Sequence, residues 1–222
     1  MTSLDGATFL LQWATGGLAF LWVTTRRRQV GLGYGWLLRG VYGAMAVASA
    51  LVGLFVVDTV VTRELASVAV AVSATAALAV SVARRRVGVS GQEGLAEQRS
   101  ARVAAMTGIE RSPRRKAAEG PEFPPALDLI APAVGSIGVI ASALAAGGPG
   151  WLTVARFLVG AAFLGAVTDA MLLGHWYLVQ PGLPRAPILE LVRWCFALAV
   201  PEILLLLLPT GMVSVIDGTI PD

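Results

Sequence analysis

The sequence predicts an all-α polytopic transmembrane bundle, and three observations carry that reading. Hydrophobic residues make up 56% of the 222 residues and charged ones only 14%. A soluble domain carries roughly 25% charge. Six stretches approach the roughly 20 apolar residues that a helix needs to cross a bilayer. Their apolar runs are continuous rather than alternating, which excludes a membrane β-barrel. The same charge deficit argues against a disordered chain and against a nucleic-acid partner.

In chain order the spans lie near residues 7–24, 36–57, 65–83, 126–146, 151–173 and 188–208. The first is no signal peptide by its flank: Met1–Gly6 carries Asp5 and no basic residue, and Arg26-Arg27-Arg28 follow the apolar run instead. The third is rich in Ala, Val and Ser. Its β-branched content is strand-like, but in lipid a lone segment satisfies its backbone only as a helix. Its small residues allow close helix packing. Trp22, Trp36, Trp151 and Trp176 stand near span ends, where indole rings favour the membrane interface.

Residues 84–125 interrupt the pattern with a basic, polar linker ending in Gly120-Pro121-Glu122-Phe123-Pro124-Pro125. Glu93–Met106 can form a short helix there, and the stretch 84–116 can touch anionic lipid. It can equally be a solvated connector. The linker divides the chain into a first transmembrane half (1–83) and a second (126–208), with 209–222 as an external tail. Three spans per half set the halves in inverted orientation, as in inverted-repeat transporters. A shared Trp-Leu, Arg-x-x-x-Gly-Ala pattern at Trp36–Ala44 and Trp151–Ala161 is too cheap in an Ala/Gly-rich chain to establish a repeat.

Of 17 basic residues, thirteen fall in the loops after spans one, three and five, against Arg63 alone on the other side. The positive-inside rule then places both termini outside and the linker in the cytoplasm. The Arg, Ala and Gly bias suits a GC-rich bacterial genome, hence a bacterial inner membrane.

Ionisable residues inside spans cost at least ~2.5–3.5 kcal/mol on insertion scales, so each needs a partner or a purpose. Arg39, Asp169, His175, Glu190 and Arg193 are expected to gather at the cytoplasmic ends of spans two, five and six, beside Trp176 and Tyr177. Arg39 or Arg193 would hold an anionic or carbonyl group, His175 would exchange protons near neutral pH, and the two aromatics would wall a pocket. Glu190 and Arg193 can pair at i,i+3, and Asp169 can pair with Arg193. The same residues would also serve as structural ion pairs. Glu202, after the helix-bending Pro201, forms a second candidate with Arg156 as counter-ion.

One histidine and one cysteine (Cys195) exclude the usual protein-only zinc site and a disulfide framework. Met171 and His175 lie on one helix face and cannot ligate both sides of a haem, so no cofactor is expected without a second subunit. Gly31-x-Gly33-x-Gly35 lacks the βαβ context of a dinucleotide fingerprint. No catalytic motif marks an enzyme. The expectation is a small transporter or proton-coupled permeation protein. The alternatives are a quinone- or lipid-binding subunit of a redox or enzyme complex, and a scaffold without chemistry. Beyond the bilayer, a second copy or other membrane subunits are the partners such a chain would have.

Overall fold

The computed structural model describes residues 4–108, 120–147, 149–180 and 183–207; of residues 92, 93, 95, 96 and 99 it describes the backbone alone. Seven α-helices follow in order: α1 (Gly6–Thr25), α2 (Leu32–Phe55), α3 (Val61–Ala83), α4 (Ser90–Thr107), α5 (Ile130–Ala145), α6 (Gly150–Val179) and α7 (Ala186–Leu207). A 3-10 turn, Pro125–Leu129, leads into α5. The described residues contain no strand. Among the described residues, five helices are long and apolar enough to cross a membrane: α1, α2, α3, α6, and α5 together with its 3-10 turn. The chain is thus a helical membrane protein by length and composition. At 22 residues, α7 is long enough, but Glu190, Arg193 and Glu202 set it apart from those five.

Local chemistry marks the ends. Asp5 caps α1, its Oδ1 accepting from the Thr8 amide at 2.7 Å, which satisfies one of the orphan donors of a first turn. The short connection to α2 turns at Arg28, whose φ is +54°. The linker helix is realised as α4 over residues 90–107 and stops at Gly108, in the left-handed conformation (φ +69°) that suits a glycine after a helix. Residues 109–119 of the linker, with Arg111, Arg114, Arg115 and Lys116, the Pro181-Gly182 turn and the 209–222 tail lie outside the described residues.

Packing centres on α1. It lies against α2, α5 and α6, while α3 bridges α2 and α5, and α7 flanks α6. Ala7, Leu11, Ala14, Leu18 and Leu21 are fully or almost fully buried. Helices from before and after the linker therefore share one core. Small residues make this possible. A Cβ on Gly16 would overlap the Ala161 carbonyl, and one on Gly165 would overlap the backbone of Gly16. Backbones of α1 and α6 thus touch where they cross. In lipid, such small-residue contacts carry helix association, because tails are as apolar as leucine. Outward faces carry Leu51, Leu54, Val68, Val72, Leu144 and Phe196, all exposed, as a lipid-facing surface requires.

One boundary moves a functional residue. The apolar run suggests that the fifth span ends at Leu173, but α6 continues to Val179. Nothing in Gly174–Val179 stops it: a single glycine costs a helix only ~1 kcal/mol, and Trp176 and Tyr177 find packing partners. Asp169 therefore lies ten residues inside the helix end, about 15 Å along the axis. It belongs to the middle of the bundle and not to the end of α6.

Candidate functional site

Buried polar groups form three layers along the bundle. At the end bearing Arg26–Arg28 and Arg84–Arg86, hereafter the basic end, Arg39 of α2 meets Asp128 of the 3-10 turn. Nε to Oδ1 is 2.8 Å and Nη2 to Oδ2 is 2.7 Å. Both side chains are almost fully buried. The planar guanidinium matches a carboxylate with two parallel bonds. The ring of Phe123 stacks on it at 4.3 Å, and Thr25 Oγ1 lies 3.2 Å from Asp128 Oδ2. Arg39 is thereby committed to Asp128, and the expected role of holding a substrate group does not fit this geometry.

The middle layer joins α2 and α6. Tyr42 Oη donates to Asp169 Oδ1 at 2.5 Å, and Tyr34 Oη donates to the Asp169 carbonyl at 3.3 Å. The Tyr42 ring reaches Asp169 by passing over Gly17 of α1, where any Cβ would collide with it. Trp13 Nε1 donates to Thr168 Oγ1 at 3.0 Å beside it. Asp169 is 0% exposed, and its Oδ2 has no hydrogen-bond partner among the described residues.

At the opposite end Arg63 is fully buried. It donates to Asp5 Oδ2 at 2.7 Å, Glu64 Oε1 at 2.6 Å and the Asp58 carbonyl at 2.9 Å. One guanidinium therefore ties the start of α1, the α2–α3 turn and the start of α3. Beneath it, Ser67 Oγ donates to the Arg63 carbonyl at 2.9 Å, and Ser49 Oγ, 3.0 Å from Ser67 Oγ, lies 2.8 Å from the Ala7 carbonyl. An open cleft lined by Asp5, Leu54–Val57 and Asp58 adjoins this knot.

The cluster expected at the cytoplasmic ends of spans two, five and six is not assembled as one site. His175 is exposed, and its Nδ1 lies 2.9 Å from the Met171 carbonyl one turn back. Trp176 and Tyr177 point elsewhere. The Trp176 ring covers Gly33, where a Cβ would come within 2.9 Å, and its Nε1 donates to Gln180 Oε1 at 3.0 Å. Tyr177 Oη donates to the Pro184 carbonyl at 2.5 Å. These aromatics fasten the end of α6 to its neighbours and do not wall a pocket with His175.

Nor do the expected pairings of Arg193 form. Glu190 is bound by Arg26 and by Arg27 (3.1 Å to Oε2), because the end of α1 delivers two guanidiniums to the start of α7. Arg193 is exposed on α7, whereas Asp169 is turned inward toward Tyr42. Glu190→Gln should cost only about 0–1 kcal/mol, because both arginines stay largely in solvent, with 34% and 50% of their side-chain surface exposed, although Glu190 keeps only 16%. A denaturation midpoint in detergent close to that of the parent chain is the expected reading.

Farther from the basic end, Glu202 lies against Gly160. Arg156 Nη2 donates to the Leu206 carbonyl at 3.3 Å, so the expected Arg156–Glu202 counter-ion contact is not a direct ion pair. Both nonetheless bridge α6 and α7. Among the described residues, no three His, Cys, Asp or Glu are placed to hold a metal ion.

Several members of these layers are not readily legible in the sequence, Asp128, Arg63 and Tyr42 foremost. Asp128 stands inside the span expected at 126–146, and a complete census of charges within spans finds it. Arg63 reads as a loop charge in the sequence, because the apolar run starts only at Leu65. Tyr42 carries no charge and gave no signal. The chain matches no protein-family model, and no curated protein or solved structure is similar enough to it to count as a match.

Proposed function

We propose that this chain is a small proton-coupled transporter or permeation protein of a bacterial inner membrane, with Asp169 as its working carboxyl. The observation that supports this most directly is the free Oδ2 of Asp169, fully buried at mid-bundle. Placing a carboxyl there costs at least ~2.5–3.5 kcal/mol, and such residues mark ion and proton pathways in membrane proteins. The end layers set their carboxylates against an arginine, Asp128 with Arg39, and Asp5 and Glu64 with Arg63. Glu64 Oε2 is also without a hydrogen-bond partner, but its carboxylate is held by Arg63. Asp169 in the middle layer forms no ion pair among the described residues, and Tyr42 orients its carboxyl from one side. In this reading α7 is a sixth span, with Glu190 at the headgroup level and Glu202 turned toward α6. Both termini face outside and the linker is cytoplasmic, with the two halves inverted.

Asp169→Asn preserves shape and can still accept from Tyr42, but cannot take up a proton. In liposomes loaded with a pH-sensitive dye, the parent chain should dissipate an imposed pH gradient faster than empty vesicles. Asp169→Asn should lower that rate at least ten-fold while its detergent melting temperature stays near the parent's. Tyr42→Phe should slow the flux less. A parent chain no faster than empty liposomes, or an Asn variant as fast as the parent, overturns the reading.

A further inference from the structure

Helix α4 is the polar helix of an otherwise apolar chain, and its orientation relative to the bundle is set at its first turn. Gly91 presses against the Arg28 carbonyl of the α1–α2 connection, where a Cβ would not fit. That contact identifies the side of α4 that faces the bundle's basic end, which is the side facing the membrane plane. At 100° per residue, Arg102 lies about 20° and Met106 about 60° from the direction of Gly91, whereas Glu97 lies about 120° away and opposite Met106. Beyond the first turn, none of the described residues covers Met106 or Arg102: Met106 is 77% exposed, and Arg102 is exposed as well. Arg85 and Arg86, just before α4, are also exposed, and Arg27 and Arg28 keep about half of their side-chain surface at the same end.

We infer that α4 docks on the surface of an anionic leaflet, with Met106 inserted among the acyl chains and Arg85, Arg86 and Arg102 on the headgroups. Helix α4 itself carries two glutamates and two arginines, so the attraction comes from Arg85 and Arg86 before it together with Arg102 on the bundle-facing side. Basic residues beside an inserted apolar side chain bind the interface by burial and charge together. The acidic Glu97 is turned to water, as a negatively charged surface demands. The occupant follows from position and charge: the bilayer that receives the bundle begins beside its basic end. The inference is independent of any role for Asp169 and needs only that the basic end meet anionic lipid.

The test uses the full chain with Cys195→Ala, carrying an environment-sensitive fluorophore at Met106→Cys or, separately, at Glu97→Cys. In phosphatidylglycerol-containing liposomes, the label at 106 should be blue-shifted and quenched by lipid-attached quenchers, while the label at 97 stays in water. Pure phosphatidylcholine, high salt, or the triple variant Arg85→Gln/Arg86→Gln/Arg102→Gln should release it. Removing each arginine should lower the docking equilibrium about five-fold, or about a hundred-fold over three. The inference is overturned if position 106 is as water-accessible as position 97 in anionic liposomes. It is equally overturned if 106 is buried without anionic lipid, or is already protected in detergent, which would mean that protein covers it.

Discussion

Asp128→Ala is expected to destabilise the folded chain by about 3–5 kcal/mol, because it leaves the buried Arg39 guanidinium without a counter-charge. The pair is almost wholly out of solvent, so water cannot replace the missing carboxylate. Phe123 and Thr25 add contacts that hold the charges but cannot neutralise Arg39. The loss should appear as a lower midpoint in detergent denaturation followed by circular dichroism. The double variant Arg39→Met/Asp128→Leu removes both charges and should recover most of the loss, since apolar residues of similar volume often replace a buried ion pair at little cost. An alanine variant within about 1 kcal/mol of the parent would show that Arg39 has other support.

Gly16→Val and Gly165→Val should be as damaging, for a steric reason. At each position the added Cβ meets backbone of the opposing helix, and backbone cannot rotate away as a side chain can. Overpacking ordinarily costs about 1–3 kcal/mol; here α1 and α6 must separate along the crossing, which also pulls Tyr42 off Asp169. Loss of a monodisperse peak on size exclusion in mild detergent is the expected outcome for both. Gly40→Ala is the matched control: nothing lies within 4 Å of a Cβ there, and alanine is the better helix former by roughly 0.5–1 kcal/mol. If the valine variants behaved like Gly40→Ala, the backbone contact of α1 with α6 would not exist.

Particular residues show where sequence reasoning succeeded and where it stopped. The polar linker helix was legible within a few residues, because the fall in hydropathy is local. Arg39 and Asp169 stood out because a charge inside an apolar run is costly wherever it sits. Their partners did not stand out. Asp128 lies 89 residues from Arg39, and Tyr42 lies 127 from Asp169. Glu190 was expected to pair along its own helix with Arg193. It pairs instead with Arg26 and Arg27, which stand 164 and 163 residues away, since the end of α1 brings two guanidiniums to it while Arg193 stays exposed.

By itself, the sequence determined that the chain is helical, that it is built for lipid, and that its basic residues are partitioned between loops. Those properties follow from one-dimensional sums: apolar length against bilayer thickness, and charge against its cost in hydrocarbon. Only the tertiary structure decided which carboxylates meet an arginine and that Asp169 forms no ion pair among the described residues. It did so through the azimuth of each helix and the glycine contacts that let α1, α2 and α6 approach. An i,i+4 rule cannot see across helices, so the open oxygen of Asp169 became visible only when Tyr42 was found crossing Gly17 to reach its neighbour.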